Sequence, residues 1–323
     1  MKLQLKFGLI ISIISLLSFA SYSNAETKVV TSIKPLHSLV SYVMDGVGTP
    51  DILVDGSSSP HTFQLKPSHA TMLQEADIVF WIGEDLESFL ETPLESIAAN
   101  SRHITLMESD EIELLKFREK NIFGGHDDHD DHGDEHDEHA DEHGDEHDDH
   151  HDGHAHGEHD IHFWLDPEIA KTIVKIVTRE LSEIDPSNAS TYESNSTKAI
   201  NEIDQLISDT KSKINSNASY VVFHDAYQYF EKRFGVEVVG ALTVNPEVLP
   251  GAKQLSEIRE VIEHENINCL FSEPQFNPSI AETIAQDTGV KAAVIDPLGA
   301  ELNPGKDLYF DLIGNIASSF ESC

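Results

Sequence analysis

Side chains that can bind a metal ion are concentrated in residues 126–160. These 35 residues include 12 His and 17 Asp or Glu, and they contain no Lys, no Arg and no large apolar side chain. Imidazole and carboxylate groups are ligands for Zn²⁺ and similar divalent ions, and His-rich tracts commonly bind metal. An acidic solubilising spacer is the alternative, but such a spacer does not need a His at every third or fourth position. We therefore predict a mobile, solvated, metal-binding loop.

The charge of the chain is strongly negative. The formal net charge is −37 at pH 7, and residues 126–160 contribute −17 of it. Such an excess disfavours nucleic acid and anionic membrane surfaces as partners and favours the attraction of cations. The composition therefore favours a divalent metal ion as the ligand.

Four more candidate ligands lie outside residues 126–160: His61, His162, His224 and Asp296. His224 directly follows a predicted strand, Asp296 ends another, His61 lies in a loop between two strand–helix units, and His162 comes just before a helix cap. Ligands of open parallel sheets lie outside the carboxyl ends of the strands, where these positions fall. No local spacing links the four residues. The other histidines, in or beside regular elements, are interpreted as structural or surface residues (His37, His69, His103 and His264).

Strands and helices alternate on both sides of the His-rich stretch. The continuously apolar residues 78–82 (IVFWI) are typical of a strand buried on both faces of a parallel sheet. Asp166-Pro167 predicts a helix start, and Asp185-Pro186 predicts the start of a second helix that runs to about residue 214. The second helix has a narrow apolar stripe, as expected of a connector between domains. We predict an α/β protein of two domains with mainly parallel sheets, joined by one long helix.

The N-terminus has the pattern of a secretory signal peptide. Lys2 and Lys6 precede an apolar segment, residues 7–20, and Ser23-Asn24-Ala25 forms a cleavage site. No later stretch is long and apolar enough to span a membrane. Because no Cys near the cleavage site could carry a lipid anchor, we expect a soluble protein in the periplasm, without direct membrane insertion. The predicted boundaries are a signal peptide at 1–25, an N-terminal lobe at 26–185, a linking helix at 186–215 and a C-terminal lobe at 216–323.

The sequence contains two cysteines, Cys269 and Cys323. An even number in an exported chain predicts one disulfide bond. It would close a loop of 54 residues and fasten the C-terminus, which in the chain-entropy model contributes about 4 kcal/mol.

Several long segments resemble one known family, the ZnuA family of zinc-binding subunits of bacterial high-affinity zinc ABC importers, within the metal-binding cluster A-I of solute-binding proteins. The acidic, His-rich insert before residue 161 is part of the resemblance, which covers nearly the whole chain after the leader. The matching segments are IHFWLDPEIA (161–170), VFHDAYQYFEKRFG (222–235), VNPEVLPGAKQL (244–255), FSEPQFNPS (271–279) and IDPLG (295–299).

The resemblance implies two α/β lobes around a rigid helix, with one metal ion held in the cleft between the lobes. The three histidine ligands of the family map onto His61, His162 and His224. The family also implies a bridge between cysteines at the two cysteine positions, and usually a monomer. It further implies delivery of the ion to a membrane permease that is driven by a separate ATPase.

The chain departs from the family pattern beside the first histidine. Pro60 precedes His61 where the family often has Glu. Because closed zinc sites prefer four ligands, we expect Asp296 as the fourth, with water or a His of the loop as alternatives. Three imidazoles and one carboxylate suit Zn²⁺, whereas Mn²⁺ carriers resemble this fold with a carboxylate in place of His224. Cu²⁺ and Ni²⁺ could also bind three histidines.

Three functions are compatible with a metal-binding exported protein. The first is a zinc carrier of an ABC importer that hydrolyses no ATP itself, since the chain has no Gly-x-x-x-x-Gly-Lys-Ser/Thr sequence. The second is a zinc buffer or chaperone that works through the His-rich loop. The third is a zinc hydrolase, which the absence of His-Glu-x-x-His and Gly-x-Ser-x-Gly sequences disfavours. We therefore expect a carrier and no enzymatic activity.

Overall fold

The computed structural model describes residues 26–118, 120–122, 157–214, 218–246, 248 and 250–323. The predicted signal peptide and residues 126–156 of the His-rich stretch lie outside the described residues. No helix in the described ranges is long and apolar enough to cross a membrane.

The N-terminal lobe is built on a parallel sheet of four strands. The strands are β1 (Val29–Ile33), β2 (Asp51–Val54), β3 (Ile78–Trp81) and β4 (Arg102–Thr105), in the spatial order β2-β1-β3-β4. The helices of this lobe are α1 (Lys34–Val43), α2 (Pro67–Glu75) and α3 (Glu91–Ser96). All four residues of β3 are buried, as the apolar run predicted.

Two long helices follow, α4 (Pro167–Ile184) and α5 (Ala189–Lys213). The side chain of Asp166 accepts a hydrogen bond from the Glu168 amide, so the predicted cap of α4 is confirmed. The start predicted for α5 is three residues too early. Asp185 accepts hydrogen bonds from Asn188 and Tyr192 and closes a turn first. Helix α5 packs against α1, against α4 and against the last helix of the chain.

The C-terminal lobe repeats the arrangement of the first. Its strands are β5 (Ser219–His224), β6 (Glu237–Thr243), β7 (Cys269–Ser272) and β8 (Lys291–Val294), all parallel in the order β6-β5-β7-β8. Its helices are α6 (Gln228–Phe234), α7 (Ala252–His264), α8 (Ser279–Thr288) and α9 (Leu308–Glu321). The prediction of two parallel α/β lobes joined by a long helix is confirmed.

One hydrophobic core extends from the N-terminal lobe through the helices into the C-terminal lobe, which also has a second hydrophobic cluster of its own. Polar contacts also join them: Lys34 Nζ donates to the carbonyl oxygens of Ala300 and Leu302, and Trp164 Nε1 donates to the carbonyl oxygen of Pro297. The predicted disulfide between Cys269 and Cys323 is confirmed, and it ties the end of α9 to the start of β7. Lys34 directly follows β1, and Pro297 and Ala300 follow β8, so these polar contacts join strand ends of the two lobes.

Candidate metal site

Three histidines lie in loops or strand ends at the carboxyl edges of the two sheets. His224 is the last residue of β5, and β5 and β7 are the neighbouring strands at which the order of the second sheet reverses. His61 lies in a 3₁₀ turn, Pro60–Thr62, after β2, and His162 directly precedes another, Phe163–Leu165. Crevices at such edges are where open α/β sheets bind ligands.

The structure brings His61, His162 and His224 together. Each offers a nitrogen atom, and the three atoms lie within 4.8 Å of one another. The Nε2 atoms of His162 and His224 are 3.4 Å apart. Two ligands of a tetrahedral zinc ion, each at 2.0–2.1 Å from the metal, are about 3.3 Å apart. The spacing of these two nitrogens therefore fits one zinc ion.

Two buried carboxylates support the histidines. Asp160 Oδ1 lies 2.8 Å from His162 Nδ1, and Glu273 Oε1 lies 2.8 Å from His224 Nδ1. An imidazole whose Nδ1–H donates to a carboxylate presents the lone pair of Nε2, as metal-ligating histidines do. Two such lone pairs facing each other at 3.4 Å repel unless a proton or a metal ion lies between them. The arrangement is therefore that of a cation site.

Burial favours the neutral form of His162. His162 and His224 are 6% and 3% exposed. Burial, together with the nearby His224, lowers the pKa of His162 well below its ordinary value. A neutral imidazole is the form that coordinates a metal. His162 is thus ready to bind without first losing a proton.

The cavity at the three histidines is very small. Its volume is about 10 Å³, and its wall includes Trp164, Gln275 and Phe276 in addition to the histidines. A single water molecule needs about this much space. The cavity can hold an ion and has no room for a peptide or an ester, which disfavours the hydrolase alternative.

The structure places Asp296 outside the group of three histidines. One of its oxygens accepts hydrogen bonds from the amides of Leu298 and Gly299 and from Gln275 Nε2, and the other accepts from the Ala300 amide. Both oxygens are therefore engaged in holding the loop after β8. This network also fixes the amide of Gln275, whose Oε1 is buried and has no hydrogen-bond partner among the described residues.

Sequence reasoning missed the supporting residues Asp160 and Glu273. Asp160 was assigned to the end of the His-rich loop, yet it is 3% exposed. Its position two residues before His162 was the available signal. Glu273 follows β7, the strand beside β5, so its position at the shared edge was a signal as well.

Replacing Glu273 with Gln is expected to weaken Zn²⁺ binding at the site by 10- to 100-fold, the usual effect of losing an outer-shell partner. The neutral amide stabilises a metal-bound imidazole less than the carboxylate does. Competition with a chromophoric chelator measures the change. Glu265→Gln, which alters an exposed residue of the same lobe, is the control and should leave the affinity within about twofold. An unchanged affinity in Glu273→Gln would show that the carboxylate has no supporting role.

The two lobes and the three-histidine site between them define a two-lobed metal-binding protein. Residues 29–323 match a family described as zinc-uptake complex component A, periplasmic (ZnuA). The chain belongs to this ZnuA family, whose members are components of transport systems.

Characterised relatives support this membership over the full length. The high-affinity zinc uptake system protein ZnuA of Brucella abortus (strain 2308) is 42% identical over 312 residues, covering 94% of this chain and 93% of the relative. The protein of the same description from Haemophilus influenzae is 36% identical over 349 residues, covering 100% of this chain and 99% of that relative. A solved crystal structure of a ZnuA matches with a TM-score of 0.72 at 22% identity, covering 92% of this chain and 99% of that one. That likeness shows the same fold.

Proposed function

We propose that the protein captures Zn²⁺ in the periplasm and delivers it to the permease of a zinc ABC importer, which a separate ATPase drives. His61, His162 and His224 are the proposed ligands. The observation that carries the proposal is the convergence of these three nitrogens within 4.8 Å. The family description as a periplasmic zinc-uptake component supports the same function.

The ligand set favours zinc among the divalent ions. Three imidazole nitrogens suit a borderline ion, whereas Mn²⁺ prefers more oxygen ligands. Cu²⁺ and Ni²⁺ also bind imidazole, so selection against them relies on geometry and on supply. The 3.4 Å spacing between two ligand nitrogens supports a tetrahedral site, the geometry of structural zinc.

A water molecule is the proposed fourth ligand. The oxygens of Asp296, our expectation from the sequence, are occupied by hydrogen bonds within its loop. Gln275 lines the cavity, and its buried Oε1 accepts no hydrogen bond from the described residues. A zinc-bound water would donate to this oxygen. Asp296 would then act on the site indirectly, by fixing the Gln275 amide.

A zinc titration on a chain lacking residues 126–156 tests the carrier function. Residues 157–160 must be kept, because Asp160 supports His162. The expected result is one tight equivalent of Zn²⁺, measured by competition with a chelator. We expect the full chain to bind further, weaker equivalents through the histidines of the deleted stretch.

The same titration distinguishes the carrier from a zinc buffer. A buffer that works through residues 126–156 would lose its tight binding on their removal. That outcome would reject the proposed three-histidine site. The globular part of the chain would then serve only as a scaffold for the His-rich stretch. A single tight equivalent with an unchanged dissociation constant would instead make the stretch an accessory to the site.

A further inference from the structure

Arg118 forms a partly buried ionic cluster beside the proposed metal site. Its guanidinium donates to both carboxylate oxygens of Asp225 and to both of Glu231. The side chains of Arg118 and Glu231 are 21% and 12% exposed, and that of Asp225 is 2% exposed. Two carboxylates of the C-terminal lobe are therefore held by one residue that precedes the His-rich stretch.

The segment that carries Arg118 is fastened to the second lobe on both sides of it. Before Arg118, the Leu115 amide donates to the Tyr229 hydroxyl. After it, Asn121 accepts a hydrogen bond from the Ala241 amide, so that residues 121 and 122 lie antiparallel to β6. A Cβ at position 240 would lie 2.8 Å from the Asn121 carbonyl oxygen, and the residue there is Gly. The close approach of this segment to β6 thus depends on Gly240.

Residues 115–117 also pair with residues 158–160, which follow the His-rich stretch. The Phe117 amide donates to the Glu158 carbonyl oxygen, and the Asp160 amide donates to that of Leu115. The Tyr229 hydroxyl in turn donates to the Asp160 carbonyl oxygen, at 2.7 Å. The two ends of the insert, residues 115–118 with 120–122 and residues 157–160, therefore meet beside α6 and β6; we refer to them as the stem.

The ionic cluster includes the residue that follows one proposed ligand and lies near the carboxylate that holds another. Asp225 follows His224 directly in the chain, so its ion pair with Arg118 anchors the backbone beside that proposed ligand. Asp160, which holds His162, lies in the stem beside Arg118, and the positive charge of Arg118 acts on its carboxylate. A guanidinium can bridge two carboxylates in this way because its donors form a rigid planar fork, which an ammonium group lacks.

We propose that Arg118 is a positioning residue of the metal site: by joining the stem to Asp225 and Glu231, it holds the His162-bearing and His224-bearing segments at the separation that zinc requires. The inference rests on the proposed zinc-binding function of the three histidines. Displacement of the stem would then change the retention of zinc, so the insert is mechanically connected to the site.

Arg118→Lys tests this role in the full mature chain. The substitution keeps the positive charge and removes the fork. We expect the rate of zinc release to a chelator to rise by about tenfold, the lower end of effects measured for outer-shell partners. The visible absorption of a half-equivalent of Co²⁺, a stand-in for zinc with a geometry-sensitive spectrum, should change as well.

Arg233→Lys is the matched control. Arg233 also joins the two lobes, through a two-point ion pair from α6 to Asp166 at 2.7 Å. Within the part of the chain that the structure describes, it forms no hydrogen bond with a residue adjacent to a proposed ligand. It should lower the thermal midpoint without altering zinc release or the Co²⁺ spectrum. If both variants change release and spectrum equally, Arg118 contributes general stability and the positioning role is rejected.

Different results would reject the positioning role of Arg118 and the proposed zinc-binding function. If the wild-type chain lacks a tight equivalent, the proposed site itself is wrong. If the wild type binds tightly and Arg118→Lys behaves like it, only the positioning role is rejected. If Arg118→Lys does not fold, Glu231→Gln can be tested in its place, because it weakens one side of the bridge. We expect Glu231→Gln to raise the rate of zinc release too, but by less. An unchanged release rate in that variant would also reject the role.

Discussion

Replacing His224 with Ala in the chain that lacks residues 126–156 is expected to abolish tight zinc binding. The dissociation constant should rise by more than about a hundredfold, because even the outer-shell partners of ligands contribute 10- to 100-fold. Two histidines and water cannot reproduce the closed site that the convergence of three nitrogens provides. A competition titration with a chelator of known affinity measures the loss.

His264→Ala is the control for this substitution. His264 ends α7 in the same lobe and is exposed, so its loss removes a histidine without altering the site. Because His224 is buried, His224→Gln should be measured in parallel, since Gln fills more of the space than Ala does. Thermal melting without metal separates misfolding from lost ligation. A folded His224 variant that still binds zinc tightly would overturn the proposed ligand set.

Local sequence patterns predicted the architecture, because the packing of the whole fold keeps the strands and helices that these patterns favour. The run 78–82 predicted a central strand, and β3 lies there with a neighbour on each side. The thin stripe on α5 predicted a connector, and the helix buries Ala199 and Ile203 along one side. Its first residue was misplaced because Asp185-Pro186 is a cap signal that the chain uses for a turn instead.

The site could be predicted only partly, since convergence in space leaves no spacing in the sequence. His37 and His103 have ring nitrogens within hydrogen-bond distance of carbonyl oxygens, so they are structural, as interpreted. On composition alone, nothing distinguished these two residues from the proposed ligands among the 19 histidines of the chain. The resemblance to a family selected His61, His162 and His224. It did not identify Asp160 or Glu273, because support of a ligand depends on side-chain orientation.

Asp296 illustrates a second limit. Its place after β8 is a ligand position in a parallel sheet, which made it a reasonable fourth ligand. The sequence does not show that backbone amides compete with a metal ion for the carboxylate oxygens of Asp296. The backbone amides of residues 298–300 turn toward the carboxylate and occupy it. A tight turn after the strand therefore engages the group that the strand position would otherwise offer to the metal.

Removing the disulfide with the double substitution Cys269→Ser and Cys323→Ser is expected to lower the free energy of unfolding by about 4 kcal/mol. The bridge spans 54 residues, and closing a loop of that length restricts the unfolded chain by about this amount. Urea denaturation should be measured with a chelator present, because bound zinc would stabilise the folded state and obscure the difference. Reduced wild-type protein is the matched control and should show the same loss. A loss below about 1 kcal/mol would show that the packing of α9 alone secures the C-terminus.

The same double variant should leave zinc affinity nearly unchanged wherever it is folded. Cys269 begins β7 and Glu273 directly follows its end, so the bridge and the site lie at opposite ends of one strand, about 13 Å apart. Between them, Phe320 of α9 still packs against Tyr220 and Phe271. The contacts that position His224 therefore persist without the bridge. A tenfold loss of affinity in the folded variant would instead mean that tension at the C-terminus reaches the site through β7.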